Sequence, residues 1–463
     1  LNAEMLKHIL ATRKSYKKKM FEAKATGDNE KAKYYDNRQK IYKIFANSYY
    51  GASGQAQSIF YNLHVALSIT GKGQAIISTA MTAFEKFLYN NIEFDSIDDL
   101  LKLIYSVEQE YREKNFNDEK ILDKEIDIDT LTNYLVGKFK NKQRGKLYKS
   151  FIYNVLQNND PKYYSRIYYK NNLLKFVENK YVLNLFKDIF DSVEEFKNPN
   201  EIPEVIKDKL EYLWKLIKEY VLYNYAVVDR IKKLKTIKRQ AVLTVDTDSN
   251  LLNLEPVFNF FNDRIDTISE SNEEDVFKVI NTITFILSKV IAEVYYLYTT
   301  QCGIIEEYKP VINMKNEFLM KRLLLTQNKK NYASTILLQE GVKLNPPKFD
   351  IKGLSINKVN VNKHVGEYFQ NILENDILNS EKISISEILK KIETFENTMR
   401  ESLSSGSTKY LIPSKANDID SYVNPFTQSP IRAALIWNLY YPDNEISFPA
   451  QFNMVKLNLL TLE

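Results

Sequence analysis

The chain has 463 residues, of which 44% are hydrophobic and 27% are charged, so its composition predicts a globular protein of two to four domains. A single cysteine excludes an internal disulfide, and three widely separated histidines exclude a zinc site. The net charge of +5 permits a polyanionic partner without identifying one. The longest apolar stretch, Val276 to Tyr298, is interrupted by charged residues and predicts an amphipathic helix, so no membrane partner is expected.

The start of the chain predicts two long helices joined by a tight turn. Helical periodicity covers residues 3–26 and 30–50, and the Thr-Gly-Asp-Asn segment where they meet is typical of a turn. A connection this short makes the two helices an antiparallel hairpin. We expect Gly51 and Gly54 to end the second helix.

One face of the second helix is predicted to be polar and basic. The side chains that share this face by helical spacing are Lys40, Lys43, Asn47 and Tyr50. The opposite, core-facing side is expected to carry Ile41, Ile44, Phe45 and Ser48. Counting from the turn places Arg13 beside Lys43, roughly 20 Å from the tip at 1.5 Å per residue, and Lys17 would extend the cationic face. A solvated lysine face is the alternative, although it gains nothing from the terminal Asn and Tyr.

A third long helix is predicted for residues 64–90, where Gly71 and Gly73 indicate either a close backbone approach or a kink. Residues 92–238 follow with amphipathic helical patterns and no chemical motif, and we interpret them as an inserted helical domain. Its predicted helices are 96–115, 147–158, 171–196 and 203–235. A basic cluster in the insertion is either a DNA- or partner-binding surface or ordinary solvated surface, and its members are Lys138, Lys140, Lys142, Arg144, Lys146 and Lys149.

Two carboxylates, Asp246 and Asp248, lie between two short apolar runs. The runs are rich in β-forming residues and the segment between them is turn-like, so we predict a β-hairpin with acids at its tip. Carboxylate oxygens are hard ligands suited to Mg²⁺ or Mn²⁺. An EF-hand loop is excluded, because Leu251 and Val257 occupy the positions of its glycine and its final glutamate.

The rest of the chain mixes helices with shorter elements. The predicted elements are a helix at 273–298, strands at 306–314 and 318–325, and helices at 363–377 and 383–400. Lys329 and Lys330, followed by Tyr332 at a strand junction, are candidates for holding a phosphate backbone.

Several of these stretches resemble motifs of the family B DNA polymerases, most closely those of T-even-like tailed bacteriophages. Residues 43–51 match the family's fingers motif, Lys-x-x-x-Asn-Ser-x-Tyr-Gly. Residues 245–249 match its palm motif Tyr-Gly-Asp-Thr-Asp-Ser, with Thr244-Val245 in place of Tyr-Gly. Residues 329–333 match Lys-Lys-Arg-Tyr-Ala, with Asn331 in place of the arginine.

Two further stretches extend the resemblance over most of the chain. Residues 13–17 are similar to the opposite fingers helix, whose Arg and Lys meet the incoming triphosphate. Residues 424–433 resemble a thumb segment of the phage enzymes. The resemblance does not cover residues 92–238, where the phage enzymes have only a short connection.

The resemblance implies an α+β fold with the right-hand architecture of polymerases. Its parts would be helical-hairpin fingers at 1–55, a palm helix at 56–91, the insertion at 92–238, an antiparallel-sheet palm with the metal hairpin at 239–350, and a short, mostly helical thumb at 351–463. It implies two-metal nucleotidyl transfer of dNTPs onto a primer 3′-hydroxyl, with two Mg²⁺ ions, or Mn²⁺, held by Asp248 and more weakly by Asp246.

The same resemblance assigns the substrate contacts. The residues implied to bind the nucleotide are Arg13, Lys17, Lys43, Asn47 and Tyr50. Lys329, Lys330 and Tyr332 would contact the primer–template duplex near its end, without reading its sequence.

The family's first palm motif, Asp-x-x-Ser-Leu-Tyr-Pro, does not occur in the chain, and neither do the 3′–5′ exonuclease acids. In the family the first palm motif supplies the other essential metal ligand. We therefore expect a second polypeptide, or a segment preceding Leu1, to supply that aspartate. A sliding clamp and a helicase are candidate partners, and the host-cell cytoplasm is the expected location of a viral replication enzyme.

Two other interpretations stay open. A catalytically inactive, polymerase-like scaffold that binds DNA or partners would fit the substitutions at Val245 and Asn331 and the missing motif. It has no physical need, however, for the fingers and palm residues that the chain retains together. A protein-primed polymerase fits less well, because the characteristic insertion of that class precedes the fingers motif.

Overall fold

A computed structural model describes residues 2–89, 93–114, 122, 126–193, 203–222, 238–246, 249–358 and 361–454. The chain divides into two compact units, one formed by Leu1–Phe196 with Ile202–Lys315, the other by Lys197–Glu201 with Asn316–Glu463. The protein is mostly helical, and its described strands form small antiparallel sheets, which fits the predicted α+β class. No helix of the described part is both long and apolar enough to cross a bilayer.

The first unit begins with three long helices, α1 (Asn2–Ala25), α2 (Asn29–Gly54) and α3 (Leu63–Tyr89). These confirm the predicted helices, although α2 continues through Gly51 to Gly54. Asp28 caps α2 by accepting a hydrogen bond from the backbone N–H of Lys31. Neither predicted role of the two glycines of α3 is observed. The helix is unbroken across them, and a Cβ at Gly71 or Gly73 would meet no described atom within 4 Å.

The pairing of α1 and α2 follows a heptad-like seam that differs from the predicted one. Residues removed from solvent recur at alternating spacings of three and four. The seam of α1 consists of Leu6, Ile9, Arg13, Tyr16, Met20 and Ala23, and that of α2 consists of Ala32, Tyr35, Gln39, Tyr42, Ala46, Tyr49 and Ser53. The predicted core side of α2 is wrong, because Ile44 is 64% exposed and Phe45 is 58% exposed. Tyrosine rings fill the seam instead, with Tyr16 stacked on Tyr42.

The insertion holds eight named helices in its described residues. They are α4 (Ile97–Lys114), α5 (Ile128–Gly137), α6 (Lys142–Leu147), α7 (Lys149–Gln157), α8 (Tyr164–Tyr169), α9 (Leu173–Val177), α10 (Lys180–Asp191) and α11 (Glu204–Leu216). The helix predicted at 171–196 is two helices, because the side chain of Asn179 caps a new start by accepting from the N–H groups of Tyr181 and Val182. The helix predicted at 203–235 is described only as far as residue 222, and a π-helical turn, Ile217–Val221, ends that part.

Buried charges tie the insertion together. Arg166 on α8 forms an ion pair with Glu219 in the π-helical turn, and both side chains are buried. The Arg166 guanidinium also lies 4.6 Å from the ring centroids of Tyr111 and Tyr220. Lys170 donates to the carbonyl oxygen of Leu222 at 2.9 Å and pairs with Glu110 on α4 at 3.4 Å. These contacts join α4, α8 and the end of α11.

Some lysines of the predicted basic cluster already bind neighbouring groups of the protein. Lys140 pairs with Asp95 at 2.9 Å, and Lys142 donates to the carbonyl oxygen of Gly137 at 2.6 Å. Burial lowers the pKa of Lys138. The other three members of the cluster are exposed.

After the insertion the first unit continues with β1 (Val242–Val245), β2 (Asn250–Leu252), α12 (Glu255–Asn262) and α13 (Glu273–Gln301). α13 is the amphipathic helix predicted from the long apolar stretch, and it packs on α3. The strand predicted at 306–314 is wrong. Glu306–Val311 form a 3-10 helix that contains Pro310, and proline cannot donate to a strand ladder.

The second unit contains a three-stranded antiparallel sheet of β3 (Phe318–Leu325), β4 (Tyr332–Gln339) and β5 (Val342–Lys352). The central strand β4 is the buried one. The remaining elements are α14 (Lys363–Asn371) with a following π-helical stretch (Ile372–Leu378), α15 (Ile385–Ser404), β6 (Ile412–Ala416), α16 (Ser429–Tyr440) and β7 (Ala450–Met454). The predicted helices at 363–377 and 383–400 are confirmed.

Two buried tyrosines should respond oppositely to removal of the hydroxyl group. The Tyr295 hydroxyl on α13 has no hydrogen-bond partner among the described residues, and burial raises its pKa. Tyr164, in contrast, donates to the carbonyl oxygen of Leu156 at 2.8 Å. Tyr295→Phe should therefore keep or raise stability, whereas Tyr164→Phe should lower it by about 1 kcal/mol, because it removes a buried hydrogen bond. Urea unfolding of the two variants measures the difference, and equal losses would contradict the assignment.

Candidate active site

The acidic segment forms the predicted hairpin. β1 and β2 pair antiparallel with Val245 opposite Asn250, and the N–H of Asp246 donates to the carbonyl oxygen of Ser249 at 3.0 Å. Asp246 is exposed at the end of β1. Asp248 lies outside the described residues. The hairpin thus presents one described carboxylate at its tip, next to the position that the sequence predicts as the main metal ligand.

The base of the hairpin is held by a carboxylate on α3. Glu85 is 0% exposed, and its oxygen Oε1 accepts hydrogen bonds from the N–H groups of Gln240, Ala241 and Val242 at 3.0, 3.0 and 2.7 Å. Its other oxygen accepts from Gln240 at 3.0 Å. Consecutive N–H groups of a straight strand point in alternate directions, so the chain bends around this anion before β1 begins.

The described residues do not by themselves make up a metal site. They contain no group of three or more His, Cys, Asp or Glu placed to hold an ion. Asp246 supplies a carboxylate of the right chemical type for Mg²⁺, which keeps water and phosphate ligands besides one or two carboxylates.

The predicted nucleotide-binding residues of the α1–α2 hairpin differ in the contacts that their side chains make. Arg13 lies in the α1–α2 seam and donates to Gln39 Oε1 at 3.4 Å. Its side chain faces the partner helix within the seam, whereas Lys43 is exposed on the flank of α2. The Tyr16 ring lies 6.2 Å from that of Tyr35 and 5.7 Å from that of Tyr42, so Arg13, three residues before Tyr16 in this antiparallel pair, is about level with Tyr42. Lys17 is half-buried on the same helix.

The polar flank of α2 is confirmed by helical geometry, and it includes an acid. Asp36 pairs with Lys40 at 2.6 Å, so part of the positive charge is neutralised. Lys43 and Asn47 are exposed, and neither makes an ion pair or a side-chain hydrogen bond within the described ranges. The Tyr50 hydroxyl is hydrogen-bonded to that of Thr70 on α3 at 2.7 Å. Lys43 and Asn47 are thus the members of the predicted set most available to an anionic ligand.

In the second unit, Lys329 and Lys330 lie in the turn between β3 and β4, and both are exposed. Lys330 has a left-handed backbone, with φ of 64°, and the N–H of Thr326 donates to the carbonyl oxygen of Asn331 at 3.1 Å to close the turn. Tyr332 begins β4 and pairs with Leu325 and with Lys352. The turn therefore holds its two lysines at one end of the β3–β4 strand pair, in a defined backbone conformation.

Comparison with known proteins places the chain in a family. The model of the divergent family B DNA polymerases matches residues 146–461, which is more than half of the chain, and the model of family B DNA polymerases matches residues 1–114. The chain belongs to the divergent family B DNA polymerases.

Relatives of this family B polymerase chain come from archaea and a virus. DNA polymerase 1 of Sulfolobus acidocaldarius is 27% identical over 214 residues, which cover 43% of this chain and 21% of the relative. The DNA polymerase of Desulfurococcus strain Tok is 40% identical over 82 residues, or 18% of the chain and 10% of the relative. The DNA polymerase of Phaeocystis pouchetii virus is 35% identical over 107 residues, or 23% and 10%. The matched segments thus span about a fifth or less of these relatives.

Sequence reasoning about this family B chain missed Glu85, which holds the acidic hairpin, and Gly353, which shapes the lysine turn of the second unit. Glu85 could have been suspected, because it is the one acid in α3 and shares a helical face with the buried residues Met81 and Leu88. No local sequence signal distinguishes Gly353. The structure shows φ of +69° at Gly353, and a Cβ there would lie 2.5 Å from the carbonyl oxygen of Lys330 and closer still to the side chain of Asn331.

Replacement of Gly353 should disturb the lysine turn. Gly353→Ala adds a Cβ into the Lys330–Asn331 backbone and also places an L-residue in the left-handed region. Gly406→Ala is the matched control, since φ there is +80° with no atom within 4 Å of a Cβ. We expect the control to lose about 1–2 kcal/mol from backbone strain alone, and Gly353→Ala to lose about 1–3 kcal/mol more from overpacking.

Chemical unfolding of the two glycine variants measures this difference. Duplex binding should weaken in Gly353→Ala and stay unchanged in Gly406→Ala. Equal stability losses would show that the turn and Gly353 do not constrain each other.

Proposed function

We propose that this chain is the fingers, later palm and thumb portion of a viral replicative DNA-directed DNA polymerase. The supporting observation is the acidic hairpin, anchored at its base on α3, in a chain that belongs to the divergent family B DNA polymerases. The motif resemblance to T-even-like phage enzymes makes a phage the proposed source. The reaction is template-directed transfer of dNTPs onto a primer 3′-hydroxyl in the host-cell cytoplasm.

In this proposal Asp248 and Asp246 hold the divalent ions. Two Mg²⁺ ions, or Mn²⁺, would stabilise the charge that develops on the transferred phosphate and the leaving group. The carboxylates supply the hard oxygen ligands that these ions prefer. We also propose that a further aspartate is supplied by a polypeptide that carries the family's first palm motif, which residues 1–463 lack.

The fingers hairpin binds the nucleotide in this proposal. Lys43 meets the triphosphate as an exposed point charge, and Asn47 lies one turn along on the same flank. Tyr50 is fixed by Thr70, so its ring offers a rigid surface against the nascent base pair, where steric fit discriminates. Arg13 reaches the triphosphate only if it turns out of the seam, and Lys17 is half-buried on the same helix, so their contribution is smaller than that of Lys43.

The second unit contributes duplex binding. Lys329 and Lys330 contact the phosphate backbone, and Tyr332 supports the turn that carries them. Such contacts are sequence-independent and weaken as salt rises. A sliding clamp and a helicase are the proposed partners of the assembled enzyme.

The test is primer extension by the chain together with whatever chain supplies the first palm motif. We expect incorporation that follows the template, requires Mg²⁺ and stops on chelation. Incorporation that ignores the template, or none under any metal, would contradict the proposal. Efficient extension by the purified chain alone would refute the need for a second component while leaving the polymerase assignment intact.

One alternative has specific support. An inactive polymerase-like scaffold fits the replacement of Tyr-Gly by Thr244-Val245 and of arginine by Asn331. It predicts duplex binding with no incorporation, so the same assay separates the two. A protein-primed enzyme is separated by its failure to extend a plain DNA primer.

A further inference from the structure

The β1–β2 hairpin, which carries Asp246 at its tip, is too small to keep a stable orientation by itself. β1 has four residues and β2 has three, and among the described strands they pair only with each other. Isolated two-stranded hairpins are marginally stable in water, so such an element needs an external anchor. The pairing is also irregular between Val242 and Thr244, which weakens the ladder close to its base.

The anchor lies at the base of the hairpin on both strands. The N–H of Ala241 donates to Glu85, and the carbonyl oxygen of Ala241 accepts from the N–H of Asn253, just after β2, at 2.7 Å. The N–H of Val242, the first residue of β1, also donates to Glu85. One fully buried side chain on α3 thus fixes Ala241 and Val242, where β1 begins. Ala241 in turn holds Asn253, where β2 has just ended.

The chemistry of the anchor requires a carboxylate. An ionised carboxylate only accepts hydrogen bonds, and it accepts four from the backbone here. A glutamine at position 85 would have one acceptor oxygen and one NH₂ group in place of two oxygens. Its NH₂ group would either face the N–H of Gln240, donor against donor, or turn away and leave one hydrogen bond unformed. Bonds to a charged acceptor are also stronger than neutral ones, and they offset the cost of burying the charge.

We propose that Glu85 is a positioning residue of the polymerase site, which aims the acidic tip of the β1–β2 hairpin by holding its base. This role rests on the function proposed above. Glu85 touches neither substrate nor metal in this proposal. It acts through the short strand that leads from Val242 to Asp246.

The experiment compares Glu85→Gln with Leu135→Ala in the assembled polymerase. Leu135 is a buried residue of α5 in the insertion, so its loss lowers stability away from the hairpin. Two quantities are measured for each variant, the Mg²⁺ concentration for half-maximal incorporation and the amide hydrogen exchange of a peptide covering residues 240–254. Glu85→Asp, which keeps the charge but is one methylene shorter, serves if Glu85→Gln does not fold.

For Glu85→Gln we expect faster exchange in the 240–254 peptide and a rise of about tenfold in the half-maximal Mg²⁺ concentration, the usual scale for losing an outer-shell support of a metal ligand. Glu85→Asp should shift both in the same direction by less, and Leu135→Ala should shift neither. A folded Glu85 variant whose Mg²⁺ dependence matches that of Leu135→Ala overturns the proposal. If Asp248→Ala leaves incorporation intact, the proposed site fails instead, and the exchange measurement still tests the anchor.

Discussion

Asp248→Ala should abolish nucleotide incorporation by the assembled polymerase while leaving primer–template binding nearly intact. A metal ion contributes several kcal/mol of charge stabilisation in the transition state, and each 1.36 kcal/mol is tenfold in rate, so we expect a loss of about a thousandfold or more. In the proposed function, binding of the duplex depends on phosphate contacts of Lys329 and Lys330, whose charges this change leaves in place.

The series around Asp248 sharpens the test. Asp246→Ala should lose less activity, because in the proposed site Asp246 supports the metal more weakly than Asp248, and the N–H bond of residue 246 to Ser249 survives the substitution. Asp266→Ala removes an exposed acid of the same unit outside the hairpin and should have no effect. Single-nucleotide incorporation and fluorescence anisotropy with labelled duplex measure the two properties. Retained incorporation in Asp248→Ala would refute the site assignment.

Breaking the Arg166–Glu219 pair should cause the largest loss of stability in the insertion. Glu219→Leu leaves the Arg166 guanidinium buried without its carboxylate, between the rings of Tyr111 and Tyr220. Removal of one partner of a buried pair costs about 3–5 kcal/mol, mostly from the stranded charge. The double variant Arg166→Met/Glu219→Leu strands no charge, so most of the loss should be recovered.

The chain has two tryptophans, and their fluorescence makes the stability of the insertion measurable. In a Trp437→Phe background, Trp214 on α11 is the remaining tryptophan, and its fluorescence reports the insertion during urea unfolding. Glu204→Gln is the control, because Glu204 is exposed in its pair with Lys207 and such pairs contribute about 1 kcal/mol at most. A double variant as unstable as the single one would mean that packing, and not the unpaired charge, sets the cost.

The elements that sequence predicted well are those whose signals are local. The long helices α1, α2, α3 and α13 follow from sustained apolar periodicity, and the acidic hairpin follows from two β-rich runs around a polar turn. The polar flank of α2 likewise follows from helical spacing alone. Each of these conclusions needs only residues that are close in the chain.

The incorrect predictions and the missed residue concern side chains whose burial depends on contacts with residues that are distant in the sequence. Ile44 and Phe45 are apolar, yet the α1–α2 seam is built from Tyr35, Gln39 and Tyr42, so apolarity misidentified the face. Arg13 lies in the seam, where its guanidinium contacts Gln39 of the partner helix, and not on the exposed flank. Glu85 escaped notice because nothing near it in the sequence indicates that its partners lie at Gln240 and beyond.

The contact between Glu85 and Gln240 joins residues 155 positions apart, and the whole insertion lies inside the loop that it closes. The entropy cost of closing a loop rises only with the logarithm of its length, so a doubling adds about 0.6 kcal/mol. A connection ten times longer therefore costs about 2 kcal/mol more. Hydrogen bonds to a charged group contribute about 1.5–3 kcal/mol each, so the backbone bonds to Glu85 are sufficient to offset the extra length that an added domain brings to this point of the chain.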